Sequence, residues 1–194
     1  MILQSLEKIK YKVISCKKCS LCESRTHAVP GKGNSKAEIV FVGEAPGRSE
    51  DLKGEPFVGS AGKKLSDLLE HVGLSRDSVY ITNVVKCRPP ENRQPTKQEK
   101  KACSDYLNRE LEIINPRIIC VLGNTAYSSL LGGKNITKDH GKIVRKDKRL
   151  YFVTFHPAAI IYNPKLVSSL KKDFRRLVQV LGKIKNGSPM EDFL

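Results

Sequence analysis

The chain has 194 residues, 39% hydrophobic and 6% aromatic, with 35 Lys and Arg against 20 Asp and Glu, a net charge of +15. That length suits one domain, 1–194, with a sizeable core. No apolar run approaches the ~20 residues of a membrane span, and residues 1–10 lack the apolar stretch of a secretory signal. The positive field attracts polyanions, although a charged solubility surface, common in heat-adapted proteins, produces the same composition.

The first signal along the chain is Cys16-x2-Cys19, extended by Cys22 into a C-x2-C-x2-C run. Two thiolates two residues apart reach one metal across a short turn, and spacing alone would let Cys22 join them. Residues 38–43 then read as a buried strand ending on Gly43. The segment Gly43-Glu44-Ala45-Pro46-Gly47 follows, a tight loop with Glu44 at its mouth. Gly54 and Gly59 have the spacing of a phosphate-binding loop, but Ser60-Ala61 stands where that loop needs Lys-Ser or Lys-Thr. Phe57, between glycine-flanked turns, is expected to face a cleft.

Residues 62–72 read as an amphipathic helix carrying Leu65, Leu68, Leu69 and Val72 on one face. A second strand spans 79–85, with the polar Asn83 among apolar neighbours. Its carboxamide offers a donor beside an acceptor, matching the O4/N3–H edge of uracil and mismatching cytosine. Residues 87–95 hold three prolines and exclude regular structure. A capping box at Thr96 and Glu99 opens a helix to about 114, carrying Cys103. Six cysteines in this setting favour metal or redox chemistry over structural disulfides, hyperthermophiles excepted. Cys87-x15-Cys103 is the second candidate pair, which would staple the N-terminus to the middle of the chain. Zinc and an iron–sulfur cluster fit four thiolates equally.

A third strand spans 117–122 and contains Cys120, read as a buried free thiol. A helix over 125–131 and a fourth strand over 150–155 follow. His156-Pro157 sits at the carboxyl end of that strand, where a ligand would bind. Asn163-Pro164 predicts an N-cap and first residue for a last helix to about 181, with a frayed tail from about 186. Strand–helix alternation gives a three-layer α/β/α fold around a central four-stranded, mainly parallel sheet.

Taken in order, the 43–47 loop, Pro56-Phe57-Val58-Gly59, the run from Ile81 to Arg93 and His156-Pro157-Ala158 resemble the family 4, iron–sulfur, uracil-DNA glycosylases. The resemblance implies a [4Fe–4S] cluster on Cys16, Cys19, Cys87 and Cys103, leaving Cys22 and Cys120 unliganded. It implies excision of flipped-out uracil from single- or double-stranded DNA. Phe57 would stack on the base, Asn83 would read its edge, Glu50 would obstruct thymine's methyl group, and Gly43 and Ala45 would line the pocket. His156 would stabilise the departing uracil anion through O2. Ala45 stands where well-known superfamily members carry a catalytic Asp, so positioning of the attacking water falls to Glu44, backbone groups or Asn92.

Arg88, Arg93, Lys142 and Lys165 are candidate phosphate contacts, and Ile160, Ile161 or Tyr162 the candidate wedge filling the vacated stack. His140-Gly141-Lys142 and Tyr162 depart from the Arg-Gly-Lys and Arg usual in relatives. Competing readings are a relative with broader base range or abasic-site trapping, a non-catalytic DNA-binding module and, more distantly, a redox protein. No His in the segment 88–95 counts against trapping, and the presence of His156 and Asn83 counts against a silent module. A thermophilic, cytoplasmic, nucleoid-associated monomer is expected. A sliding clamp is a candidate partner, though neither end of the chain carries a clear clamp-binding pattern.

Overall fold

A computed structural model describes residues 2–187, with side chains from residue 5 onward. Beyond Gly187 the tail expected to fray lies outside the described residues. The elements run α1 (Ile2–Ile14), α2 (Leu21–Ser24), β1 (Lys32–Gly33), β2 (Ile39–Gly43), α3 (Arg48–Lys53), α4 (Ser60–Glu70), β3 (Tyr80–Asn83), α5 (Lys97–Ile114), β4 (Ile118–Leu122), α6 (Gly123–Leu131), α7 (Ile136–Asp139), β5 (Ile143–Lys146), β6 (Arg149–Thr154), α8 (Ala159–Tyr162) and α9 (Leu166–Lys185). No described helix is long and apolar enough to cross a membrane.

The sheet order is β1-β3-β2-β4-β6-β5. The central four strands are parallel, as expected, with Val40 opposite both Tyr80 and Ile119, and Cys120 opposite Phe152. The expectation of four strands falls short by two: β1 and β5 add antiparallel edges. Neither was legible. β1 has two residues, and β5 pairs through a two-residue turn, Asp147-Lys148, with φ of 49° and 63°. Such a turn suits the twist of a hairpin but normally advertises itself with Asn-Gly or Asp-Gly.

The strands β2 and β4 are buried at every position, as strands covered on both faces must be. Connections through α4 and α5 travel in opposite directions across the sheet, so right-handed crossovers place these helices on opposite faces. On one face α4 meets α9, and Phe174 of α9 stacks on Phe41 at 5.7 Å; on the other α1 packs against α5. The capping box of α5 forms as read: the Glu99 amide donates to Thr96 Oγ1 at 3.2 Å, and the Thr96 amide donates to Glu99 Oε2 at 2.7 Å. At α9 the helix starts later than Asn163-Pro164 predicts. The Asn163 side chain accepts the Lys165 amide at 3.2 Å, which makes a separate turn before Leu166.

One polar knot ties β3 to α5. Lys86, just past β3, donates to Glu110 Oε2 at 2.7 Å, and both side chains are almost fully buried. Thr82 Oγ1 donates to the same oxygen at 2.8 Å, while the Gly31 amide donates to Oε1 at 3.1 Å. Removing one partner of a buried pair leaves a charge without compensation. Lys86→Met is therefore expected to lower stability by about 3–5 kcal/mol. Urea unfolding checks this, and an unchanged midpoint would contradict the expectation.

Candidate active site

Ligands of such sheets sit beyond the carboxyl ends of the parallel strands, where connections leave in opposite directions. A cavity of about 550 Å³ opens there. Gly43 ends β2 opposite Asn83 at the end of β3. A Cβ on Gly43 would lie 2.5 Å from Asn83 Oδ1 and 2.6 Å from Phe57 Cζ, so only glycine lets amide and ring converge. The ladder continues past the strand ends, Val84 and Val85 amides donating to the Gly43 and Glu44 carbonyls at 2.9 and 3.1 Å. This fixes the backbone of Glu44 at the cavity mouth.

Asn83 is 2% exposed, and its Oδ1 is the one buried side-chain polar atom among the described residues without a hydrogen-bond partner. An unmet buried acceptor costs about 1–3 kcal/mol. Asn83 lines the cavity, so a ligand N–H that reached this oxygen would remove that cost. Phe57 is buried rather than exposed, but one part of its ring faces the cavity while it stacks with His156 at 5.5 Å and 29°. Its φ of 54° is strained for a bulky residue, a feature that concentrates at ligand sites.

His156 follows β6. Gly123, at φ 84°, begins α6 so close that a Cβ there would sit 2.9 Å from His156 Cβ. Part of the imidazole meets the cavity, yet surrounding protein depresses its pKa to about 4, with Glu50 pulling weakly the other way. The ring is therefore neutral at pH 7. The Ala158 amide donates to Nδ1 at 3.2 Å, which leaves the ring proton on Nε2 as a donor. Glu50 also lines the cavity, and its carboxylate accepts from the Gly47, Val58 and Gly59 amides at 3.1, 2.9 and 2.8 Å.

A second cluster lies beside α1. Cys16 and Cys19 follow that helix, Cys87 follows β3, and Cys103 lies in α5. Cys16 and Cys19 pack with Cys87 on a small separate core of Ile9, Val13, Leu21, Ala28 and Tyr106. Burial pushes the Cys87 thiol up and the Cys103 thiol to about 11; Cys87 feels Cys16 and Cys19, and Cys103 feels Cys87 and Cys19. The donor set is sulfur alone, brought from three segments of the chain, which suits a soft cationic centre able to draw these raised thiols into the thiolate form. Among the described residues no three donors close on a single ion. Cys22 lies near Cys19, whereas Cys120 is fully buried in β4 beside Asp173.

The profile of the uracil DNA glycosylase superfamily matches residues 30–182. The "Type-4 uracil-DNA glycosylase" of Sulfurisphaera tokodaii is 52% identical over 185 residues, covering 90% of this chain and 84% of that protein. That of Archaeoglobus fulgidus is 48% identical over 190 residues, covering 93% and 96%. This chain belongs to the type-4 uracil-DNA glycosylases. A "Type-5 uracil-DNA glycosylase" from Pyrobaculum aerophilum is 34% identical over 153 residues, covering 70% and 67%.

Of the residues singled out in the sequence, the type-4 fold gathers Glu44, Ala45, Glu50, Phe57, Asn83, Asn92, Arg93, His156 and Tyr162 around one cavity. Gly43, Arg88, Lys142, Ile160, Ile161 and Lys165 do not line it; Gly43 lies behind Asn83 and Phe57 rather than on the wall. Ile160 is 8% exposed and belongs to the core, which removes it as a wedge; Ile161 and Tyr162 are 44% and 87% exposed. Arg93 is gripped by Glu99 at 2.9 and 2.6 Å, which holds that carboxyl down to about 2. Lys142 pairs with Asp139 at 2.8 Å, and Arg88 Nε donates to Asn92 Oδ1 at 2.8 Å. The cavity also uses Arg48 and Ser49, which open α3, and Ser60, which opens α4, none of them singled out as a site residue in the sequence. No motif marks them; only their place in the fold does.

Proposed function

We propose that this protein excises uracil from DNA by hydrolysing the bond between uracil N1 and deoxyribose C1′. The unpartnered Asn83 Oδ1, buried on the wall of a cavity shared with Phe57 and His156, carries the reading. Uracil flips from the stack at a cost of a few kcal/mol, and Phe57 receives its face. Asn83 Oδ1 accepts N3–H while its NH2 donates to O4; cytosine presents the opposite polarity. Glu50, held by three amides, cannot swing aside and stands against a methyl group at C5.

As the N-glycosidic bond breaks, its electron pair moves onto uracil and charge builds on O2. Neutral His156 donates through Nε2–H, stabilising that charge without having to lose a proton. Water attacks C1′, forming the new C–O bond and releasing a proton to solvent at the cavity mouth, while the uracil anion takes one up from solvent as it leaves. Glu44, on a fixed backbone at the mouth, orients this water; Asn92 is less suited because Arg88 already holds its oxygen. Exposed Tyr162, with Ile161 beside it, fills the vacated stack. Phosphates are met by the net +15 field and by Arg48 and Lys165. Cys16, Cys19, Cys87 and Cys103 would hold a [4Fe–4S] cluster, which orders the chain and supplies no step of the hydrolysis.

Asn83→Asp places an acceptor where O4 needs a donor. Uracil release from a U:G oligonucleotide is expected to fall about 10- to 100-fold, with relative gain on cytosine. Product analysis by chromatography tests it. Unchanged preference for uracil would refute the edge-reading role, and no uracil release by the unaltered protein would refute the function.

A further inference from the structure

Glu50 and Asp51 are consecutive residues of α3, 9% and 4% exposed, so their side chains leave the helix about 100° apart. Each carboxylate is satisfied by backbone N–H groups. Glu50 holds Gly47, Val58 and Gly59 of the pocket wall. Asp51 turns the other way and accepts from the Thr26 amide at 2.9 and 3.1 Å and the His27 amide at 3.3 Å. His27 Nδ1 closes the contact on the Asp51 carbonyl at 2.9 Å. The residue before Thr26 is Arg25. Its Nη1 donates to Cys87 Sγ at 2.9 Å, and its Nη2 donates to the Ile14 and Cys16 carbonyls at 2.9 and 3.0 Å.

We propose that Arg25 and Asp51 are positioning residues for uracil binding: a strut that holds the base pocket in register with the thiol centre. The inference rests on the function and cluster proposed above. Arg25 touches both thiol-bearing segments, after α1 and after β3, so it sets where 25–27 lies once those thiols are gathered. Asp51 transfers that placement to α3, and Glu50 transfers it to Val58 and Gly59, adjacent to the strained backbone of Phe57. A buried carboxylate cannot slip from its donors without leaving charge unmet, so each joint is stiff.

The test compares the iron-loaded protein with Asp51→Asn and Arg25→Lys. It follows iron content, visible absorption, amide hydrogen exchange, and KM and kcat on a uracil oligonucleotide. Asp51→Asn is expected to keep its iron, to exchange the Val58 and Gly59 amides about tenfold faster and to raise KM about tenfold, with kcat within about twofold. Chelating iron from the unaltered protein should accelerate the same two amides while β4 stays protected. Arg25→Lys, which keeps the charge but not the fork, should reproduce the exchange effect if Asp51→Asn does not fold. Wild-type exchange at Val58 and Gly59 in the variants, or no change there on chelation, overturns the strut. Absence of iron or of uracil release in the unaltered protein would instead count against the earlier reading.

Discussion

His156→Ala is expected to slow uracil release about 10²–10³-fold, the usual loss when one preorganised donor to a developing anion is removed. Phe57 keeps its other neighbours, so the fold should persist. Single-turnover kinetics with saturating enzyme isolates the step, and a rate within a few-fold of the unaltered protein would end the assignment. The same imidazole makes a pH prediction. Its pKa lies near 4 in the folded chain against 6.5 for an ordinary histidine, because burial disfavours the charged form. Between those values the unfolded chain takes up a proton and the folded chain does not. Stability contributed by this group is thus complete above about pH 6.5 and is lost as pH falls toward 4. Release should show no loss near pH 6.5 from this residue, with an acid limb near 4. Thermal melts across pH 4–7 should lose part of their slope in His156→Ala.

Cys103→Ser is expected to release bound iron and to lower stability by about 3 kcal/mol or more, or about 6–12 °C in Tm. Through the proposed cluster Cys103 would join α5 to the segments after α1 and β3, so its loss should loosen the small second core that carries Cys16, Cys19 and Cys87. Cys22→Ser, near Cys19 but outside the four proposed ligands, should retain iron and melt as before. Metal analysis beside calorimetry decides both. Iron retained in Cys103→Ser, or lost in Cys22→Ser, would redraw the ligand set.

Apolar periodicity and punctuation were enough to place the parallel strands and main helices. Residues 117–122 read as a covered strand, Thr96 and Glu99 open a helix, and Gly43 and His156 stand at strands' carboxyl ends, whereas Asn83 read as interior to a strand reaching 85 and ends β3 only in the fold. These are local signals, carried by neighbours in the chain. Charge balance, cysteine spacing and the ordered motifs belong to the same class. What depended on distant segments was not legible. The edge strands β1 and β5 exist only by pairing, and Ile160 is core rather than wedge because it packs inward. Arg93 and Lys142 read as free cations although Glu99 and Asp139 are near in sequence, because the ion pairs depend on how the intervening turns fold back. Only in three dimensions does Asn83 Oδ1 become an acceptor without a donor, does the packing around His156 keep it neutral, and do Arg25 and Asp51 meet their partners. Burial and the pairing of buried polar groups are properties of surroundings, and surroundings are assembled by the fold.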